Sequence, residues 1–597
     1  LNQSLLVVRT APPTLRLLWR AAPHALAAML VLTFAQAFVP AAIAWVAKEI
    51  VDGVVAAQAG DLSAASHVSL AVLVELVLVV VQAIVVQTQG VVREHIAARL
   101  KRLLTVEVIE KALALELRHF EDADLYDKMQ NARREADRRP LSLAMALLGV
   151  IENVVTLATW GALIASTAMW ALPVLCVAAI PAFVAELKFA NETFSVLTWR
   201  APEGRRLNYL EWVLTRDSTV KEIKAFGLGR FFLDRFTALF DTMVVQDQRL
   251  ARRRAAWLGA FSIVALLAFY GCYLVVARRA AAGAMTLGEL TLALAAFRQA
   301  QKSFQAILSG IGDMVEDALF MSNLFAYLDV DAPGERPRRA AVDVPPGPQA
   351  IELEHVSFAY AGSATPVLND ITLTIAPGEK VALVGENGAG KSTLVKLLLR
   401  LYEPTSGVIR IGGIDLRDVD PAALRARFGA VFQDYVRYQL IVRENVGVGD
   451  VDRREDLTAI ANAVEKAGAQ GVVDTVGGYD SMLGGWFEEG RELSGGQWQK
   501  LALARGFMRE TADVLILDEP TAAVDARAEA ELFARIQDLA RDKSAILISH
   551  RFSTVRMADR ILVLEGGRIV EEGSHDVLVA QQGRYAQLFA LQAQGYR

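Results

Sequence analysis

Six apolar runs crowd the first half of the chain, near residues 25–47, 68–92, 142–167, 171–191, 255–277 and 286–309. A helix needs about 20 apolar residues to cross the hydrocarbon core. In lipid every backbone N–H and C=O must be satisfied internally, so runs of this length can only be helices. The fourth run carries Glu186 and Lys188 near its end, and only a short join around Trp170 and Pro173 separates it from the third. That join predicts a tight hairpin on one side of a membrane. The first run is too long for a cleavable signal and follows about two dozen residues that include Arg9, Arg16 and Arg20.

A chain of 597 residues exceeds what one compact core holds. Hydrophobic residues make up 53% of it and charged residues 22%, so a lipid-embedded part must be joined to a soluble one. A net charge of −5 excludes a strongly basic nucleic-acid binder. Two cysteines, Cys176 and Cys272, are too few for a disulfide scaffold or a four-cysteine zinc site.

Charge sets the orientation. Residues 93–139 and 188–254 are rich in Lys and Arg, whereas the opposite loops hold only Lys48 in one, none in the second, and Arg278 and Arg279 in the third. The positive-inside rule then puts the basic loops, the N-terminus and everything beyond residue 330 in the cytoplasm. Helical periodicity at 99–115 and 205–214 predicts that the spans continue past the bilayer as long helices. Two turns at their far ends, 120–132 and 221–229, are either contacts for a soluble domain or solvated loops, and periodicity alone favours the latter.

Ionisable residues inside a membrane are functional candidates. Glu75 lies in the second run and Glu152 in the third, while Arg298, Gln301, Lys302 and Gln305 form one stripe on the sixth. Two readings stay open: pairing between helices, or a polar wall of a substrate cavity suited to a cargo with acidic or carbonyl groups.

Residues 331–349 (DAPGERPRRAAVDVPPGPQ) read as a linker between a membrane domain, 1–330, and a soluble domain, 350–597. Beyond it, short β-rich runs alternate with helices, an α/β pattern. The apolar strand VALV leads into GENGAGKS at 385–392 and then a helical run. This strand–loop–helix context is that of a phosphate-binding loop. Its glycines let the backbone amides curl around phosphates, Lys391 reaches the β- and γ-phosphates, and Ser392 holds Mg²⁺. A second apolar strand, VLIL at 514–517, ends in Asp518 and Glu519. There Asp518 would hold the metal through water, and Glu519 would polarise an attacking water. LSGGQ at 493–497 opens another helix, whose N-terminus is a second anion site, suited to the nucleotide of another copy.

Together these motifs resemble an ABC exporter half: six spanning helices fused to one α/β P-loop ATPase domain. The resemblance covers essentially the whole chain. It implies a nucleotide site formed by Gly385, Asn387, Gly388, Gly390, Lys391, Ser392 and Thr393, with Tyr360 stacking on adenine. It also implies Gln433 as a Mg²⁺-contacting residue beside Ser392 and Asp518, Glu519 as catalytic base, His550 as a switch near the γ-phosphate, and Asp525 as the D-loop acid. Ser494, Gly495, Gly496 and Gln497 would close on the ATP of the opposite subunit. The implied assembly is a homodimer, with a heterodimer also possible. It sits in the cytoplasmic membrane and uses ATP and Mg²⁺ for export by alternating access.

Three departures from the common pattern matter. AAVD at 522–525 lacks the usual hydroxyl but keeps the acid. WFEEGRE at 486–492 and GGQWQK at 495–500 are similar to exporters of lantibiotics and related modified peptides. The short N-terminal stretch leaves no room for a peptidase domain, so no leader cleavage is expected. The implied cargo is an amphipathic substrate, a (modified) peptide, with a lipid or drug as the alternative; a gated channel or sensor fits less well.

Overall fold

The computed structural model describes residues 2–122, 125, 128–130, 132, 139–330, 342–520, 534–549 and 551–595. The chain forms two compact units. One comprises Leu1–Leu113 with Ala123–Val330, the other Ala114–Asp122 with Asp331–Arg597.

The first unit is helical. Its elements are α1 (Asn2–Ala21), α2 (Pro23–Gln58), α3 (Leu62–Ala114), α5 (Arg139–Ala168), α6 (Ala171–Trp199), α7 (Ala201–Thr215), α8 (Asp217–Ala225), α9 (Gly229–Ala281) and α10 (Leu287–Leu328), while α4 (Leu117–Glu121) belongs to the second unit. Each apolar run becomes a helix, and the third and fourth meet at Met169 and Trp170 as a tight turn. Among the described residues four helices, α2, α3, α5 and α9, are long and apolar enough to cross a membrane. Within the same described residues α6 carries a shorter apolar stretch, Ala171–Glu186. Helix α10 carries the Arg298–Gln305 stripe, which dilutes its apolar character.

Length explains the basic loops. Helices α3 and α9 have 53 residues each, about 80 Å at about 1.5 Å per residue. The hydrocarbon core is about 30 Å thick, so much of each helix projects into water, where its Lys and Arg are solvated. The core of this unit gathers Trp160 and Ile164 of α5, Phe269, Cys272 and Val276 of α9, and Ala293, Ala296 and Phe297 of α10. Glu186 pairs with Arg254 of α9, which explains how a carboxylate only 4% exposed is tolerated there.

The second unit is α/β. Its strands are β1 (Ile351–Phe358), β2 (Leu368–Ile375), β3 (Lys380–Val384), β4 (Ser406–Ile411), β5 (Ile414–Asp415), β6 (Phe428–Val431), β7 (Val514–Asp518), β8 (Ser544–Ile548), β9 (Arg560–Glu565) and β10 (Arg568–Gly573). Among the described residues they form an antiparallel sheet, β2-β1-β4-β5, and a sheet of order β10-β9-β3-β8-β7-β6. In the latter, β9, β3, β8, β7 and β6 run parallel. Strands β7 and β8 are buried along their whole length, as continuous Val/Ile/Leu runs in a parallel sheet should be. The helices that matter below are α11 (Lys391–Leu398), α12 (Gly495–Phe507), α13 (His575–Ala580) and α14 (Arg584–Gly595).

Leu117 of α4, three residues before the turn at 120–132, packs against the core of the α/β unit, a contact that a single apolar side chain in a five-residue helix does not announce by periodicity. The other turn, around α8, stays with the helical unit and leaves Phe226 71% exposed.

Candidate functional site

Three neighbouring strands, β3, β8 and β7, end on one side of the parallel sheet, and the loops leaving their carboxyl ends build the site, as expected for an open α/β sheet. The loop after β3 is 385–390. Its first glycine is pressed against β9: a Cβ on Gly385 would lie 2.3 Å from the Leu564 carbonyl oxygen. Gly390 is the N-cap of α11 in the left-handed region (φ 101°) and supplies no side-chain cap. Gly390 therefore leaves the first amides of α11 without a cap from its own side chain, open to an anion.

Lys391 is 6% exposed, and its ammonium donates to the carbonyls of Gly385 (2.7 Å) and Glu386 (2.9 Å). Burial pushes its pKa down, while Glu519 and Asp518 pull it up. A buried cation held mainly by neutral carbonyls lacks a full counter-charge, which an anionic ligand at the helix end supplies. Ser392 Oγ donates to Asp518 Oδ2 at 2.9 Å, bringing together two hard oxygen ligands of the kind Mg²⁺ takes. Burial above all raises the Asp518 pKa and Glu519 adds to this, whereas the Ser392 bond favours the anion.

Glu519 follows Asp518 with φ 49°, a strained conformation for a non-glycine residue. Its amide donates to the Ile548 carbonyl at 2.9 Å. Gln433 Nε2 donates to Glu519 Oε2 at 2.9 Å, so the two residues meet. The same loop continues to Tyr435, whose hydroxyl donates to the Gly495 carbonyl at 2.9 Å. It is also tied by Arg505 of α12, which donates to the Val436 carbonyl (3.2 Å) and stacks on Tyr438 (4.5 Å).

Tyr360 sits beside the site. Its hydroxyl is 3.1 Å from Thr393 Oγ1, and its ring packs edge-on against Phe358 and Tyr402. Ser494 caps α12: its hydroxyl accepts from the Gln497 amide, and the Gln497 side chain accepts from the Ser494 amide. This capping box satisfies two orphan donors from within the chain, leaving the amides of Gly495 and Gly496 for an anion. Asp525 and His550 lie outside the described residues.

Sequence reasoning missed three contributors. Gln499, buried in α12, donates to the Glu519 carbonyl at 3.3 Å. Tyr435 and Arg584 act across 60 and 198 residues. Of these, Gln499 and Tyr435 lie beside motifs, and Arg584 lies beside none.

In the helical unit a cavity of about 640 Å³ opens among α5, α6, α9 and α10. Gln301 and Gln305 line it, with Phe269, Phe297, Phe304 and the Glu186–Arg254 pair. Arg298, Lys302, Glu75 and Glu152 do not line it, and among the described residues none of these four forms an ion pair.

The ABC transporter transmembrane region pattern matches residues 26–304, and the ABC transporter pattern matches residues 368–522. The chain is 31% identical over 477 residues to the subtilin transport ATP-binding protein of Bacillus subtilis, covering 80% of this chain and 77% of that one. The chain belongs to the ABC transporters. This ABC transporter is also 28% identical to the nisin transport ATP-binding protein of Lactococcus lactis, over 97% of this chain and 96% of that one. It is 31% identical to an ATP-dependent lipid A-core flippase of Thiobacillus denitrificans, over 83% and 84% of the two chains. Its fold matches that of a bacterial Atm1-family ABC exporter with ATP bound: TM-score 0.79, 24% identity, coverage of 96% of this chain and 99% of the other. It is thus a multi-pass membrane ATPase that couples hydrolysis to export.

Proposed function

We propose that this transporter exports an amphipathic peptide from the cytoplasm as a homodimer in the cytoplasmic membrane. The observation that carries the cargo class is the cavity. Its walls are apolar, yet Gln301 and Gln305, one helical turn apart, place two amides in it. An amide side chain both donates and accepts, the complement of a peptide group. An acyl chain would cover the same walls but leave both amides without partners, at a cost of about 1–3 kcal/mol each. Likeness to the subtilin and nisin transport proteins supports the same reading. The lipid A-core flippase relative favours lipid as the second reading.

For the ATPase cycle, the contacts of Lys391, Ser392, Asp518, Gln433 and Glu519, with the family likeness, support the following roles. Lys391 and the α11 amides bind the phosphates. Ser392 and Asp518 would hold Mg²⁺, which would supply neutralisation of phosphate charge. Glu519 accepts the proton of the attacking water, and Gln433 orients its carboxylate. Ser494 to Gln497 of the partner copy closes the site, and His550, Asp525 and Tyr360 complete it. ATPase activity in liposomes tests the cargo: an amphipathic peptide should stimulate it severalfold at concentrations where a lipid-headgroup analogue does not. Stimulation by the lipid analogue alone would favour the second reading.

A further inference from the structure

The C-terminal helices reach the back of the nucleotide loop. Helix α14 is anchored at its first turn: Tyr585 is fully buried, and its hydroxyl lies 2.7 Å from Nδ1 of His575 on α13. The amides of Arg584 and Tyr585 both donate to the Glu571 carboxylate, the latter at 2.9 Å. From this fixed base the Arg584 guanidinium bridges two acids. Its Nε is 3.1 Å from Glu565 at the end of β9, and its Nη2 pairs with Glu386. Glu386 is the second residue of GENGAGKS, and its own carbonyl accepts from the Lys391 ammonium. A cavity of about 160 Å³ lies between loop and helix, lined by Gly385, Glu386, Asn387, Arg584 and Leu588 among others.

A loop built to receive phosphates here carries a carboxylate beside its first glycine. That charge opposes a polyphosphate. With side chains 68% and 30% exposed, the Glu386–Arg584 pair adds little to folding stability. Its effect on a ligand bearing several negative charges is larger, because each of them feels the net charge of the loop. We propose that Arg584 is a positioning residue for nucleotide binding: from α14 it neutralises and holds Glu386, so that the loop presents a positive field to the phosphates. This rests on residues 385–392 being the nucleotide loop.

The test is ATP KM of the full-length, reconstituted transporter at low and high salt. Arg584→Gln should raise KM about five- to tenfold in about 0.05 M salt, with kcat within about twofold. The gap should close to under about twofold in about 1 M salt, where the screening length is about 3 Å. Arg584→Lys should stay within about threefold of the parent, because the charge is kept. Adding Glu386→Gln to Arg584→Gln should bring KM back near the parent value. An unchanged KM in Arg584→Gln, or a rise that persists in high salt and in the double variant, overturns the proposal. If Arg584→Gln fails to fold, Glu386→Gln alone decides: KM should fall in low salt only, and an unchanged KM overturns the idea. Failure of the underlying reading looks different, as a parent protein whose hydrolysis does not saturate with ATP.

Discussion

Gln433 and Glu519, 86 residues apart in sequence, are joined by a 2.9 Å hydrogen bond from amide to carboxylate. The bond ties the loop after β6 to the end of β7, where Glu519 has a left-handed backbone (φ 49°). Backbone strain of this kind persists where the surroundings over-determine it, and it clusters at functional sites.

Glu519→Gln should therefore keep the shape and the Gln433 contact while losing the proton acceptor. ATP turnover should drop by about 10²–10⁴-fold, with nucleotide binding retained in an equilibrium binding assay. Turnover near the parent rate would remove Glu519 from the role of base.

Asp518 gives a pH-dependent outcome. Burial is the main reason its folded pKa is raised, so the folded state binds the proton more tightly than the unfolded one. Stability then rises as pH falls through the raised folded value toward about 3.9, the unfolded value. At neutral pH the buried anion is destabilising. Asp518→Asn should thus melt higher than the parent at neutral pH without nucleotide or Mg²⁺, with the difference shrinking on acidification. A lower melting temperature at neutral pH would contradict this.

Gly385→Ala tests the close approach of the loop to β9. A methyl group would meet the Leu564 carbonyl oxygen at 2.3 Å, and backbone cannot yield as a flexible side chain can. The expected loss is about 1–3 kcal/mol in denaturant unfolding of the soluble unit, together with weaker ATP binding.

The nucleotide loop was legible because its glycines, Lys391 and Ser392 are contiguous and flanked by a strand and a helix. Asp518 and Glu519 were legible because an all-apolar strand ends in two acids. Partners set by tertiary packing were not: Glu186 finds Arg254 68 residues away, and Arg584 finds Glu386 across 198. On α10 the stripe was legible but its division was not. Helical spacing groups Arg298, Gln301, Lys302 and Gln305 on one face, and only the neighbouring helices separate the two glutamines that line the cavity from the two cations that do not.

That division predicts a contrast. Gln301→Leu with Gln305→Leu should cut peptide-stimulated ATPase several-fold while leaving basal turnover within about twofold. Arg298→Gln with Lys302→Gln should leave stimulation near the parent level. Loss of stimulation in the second pair alone would place the cargo contacts on the cations.

Vectorial, hydrolysis-driven peptide export is directly measurable. Inside-out vesicles carrying the transporter should accumulate a labelled amphipathic peptide with ATP, and should fail to do so with ADP or with the Glu519→Gln variant. Accumulation that persists in Glu519→Gln, or an ATPase-active parent that moves lipid but no peptide, would contradict the account.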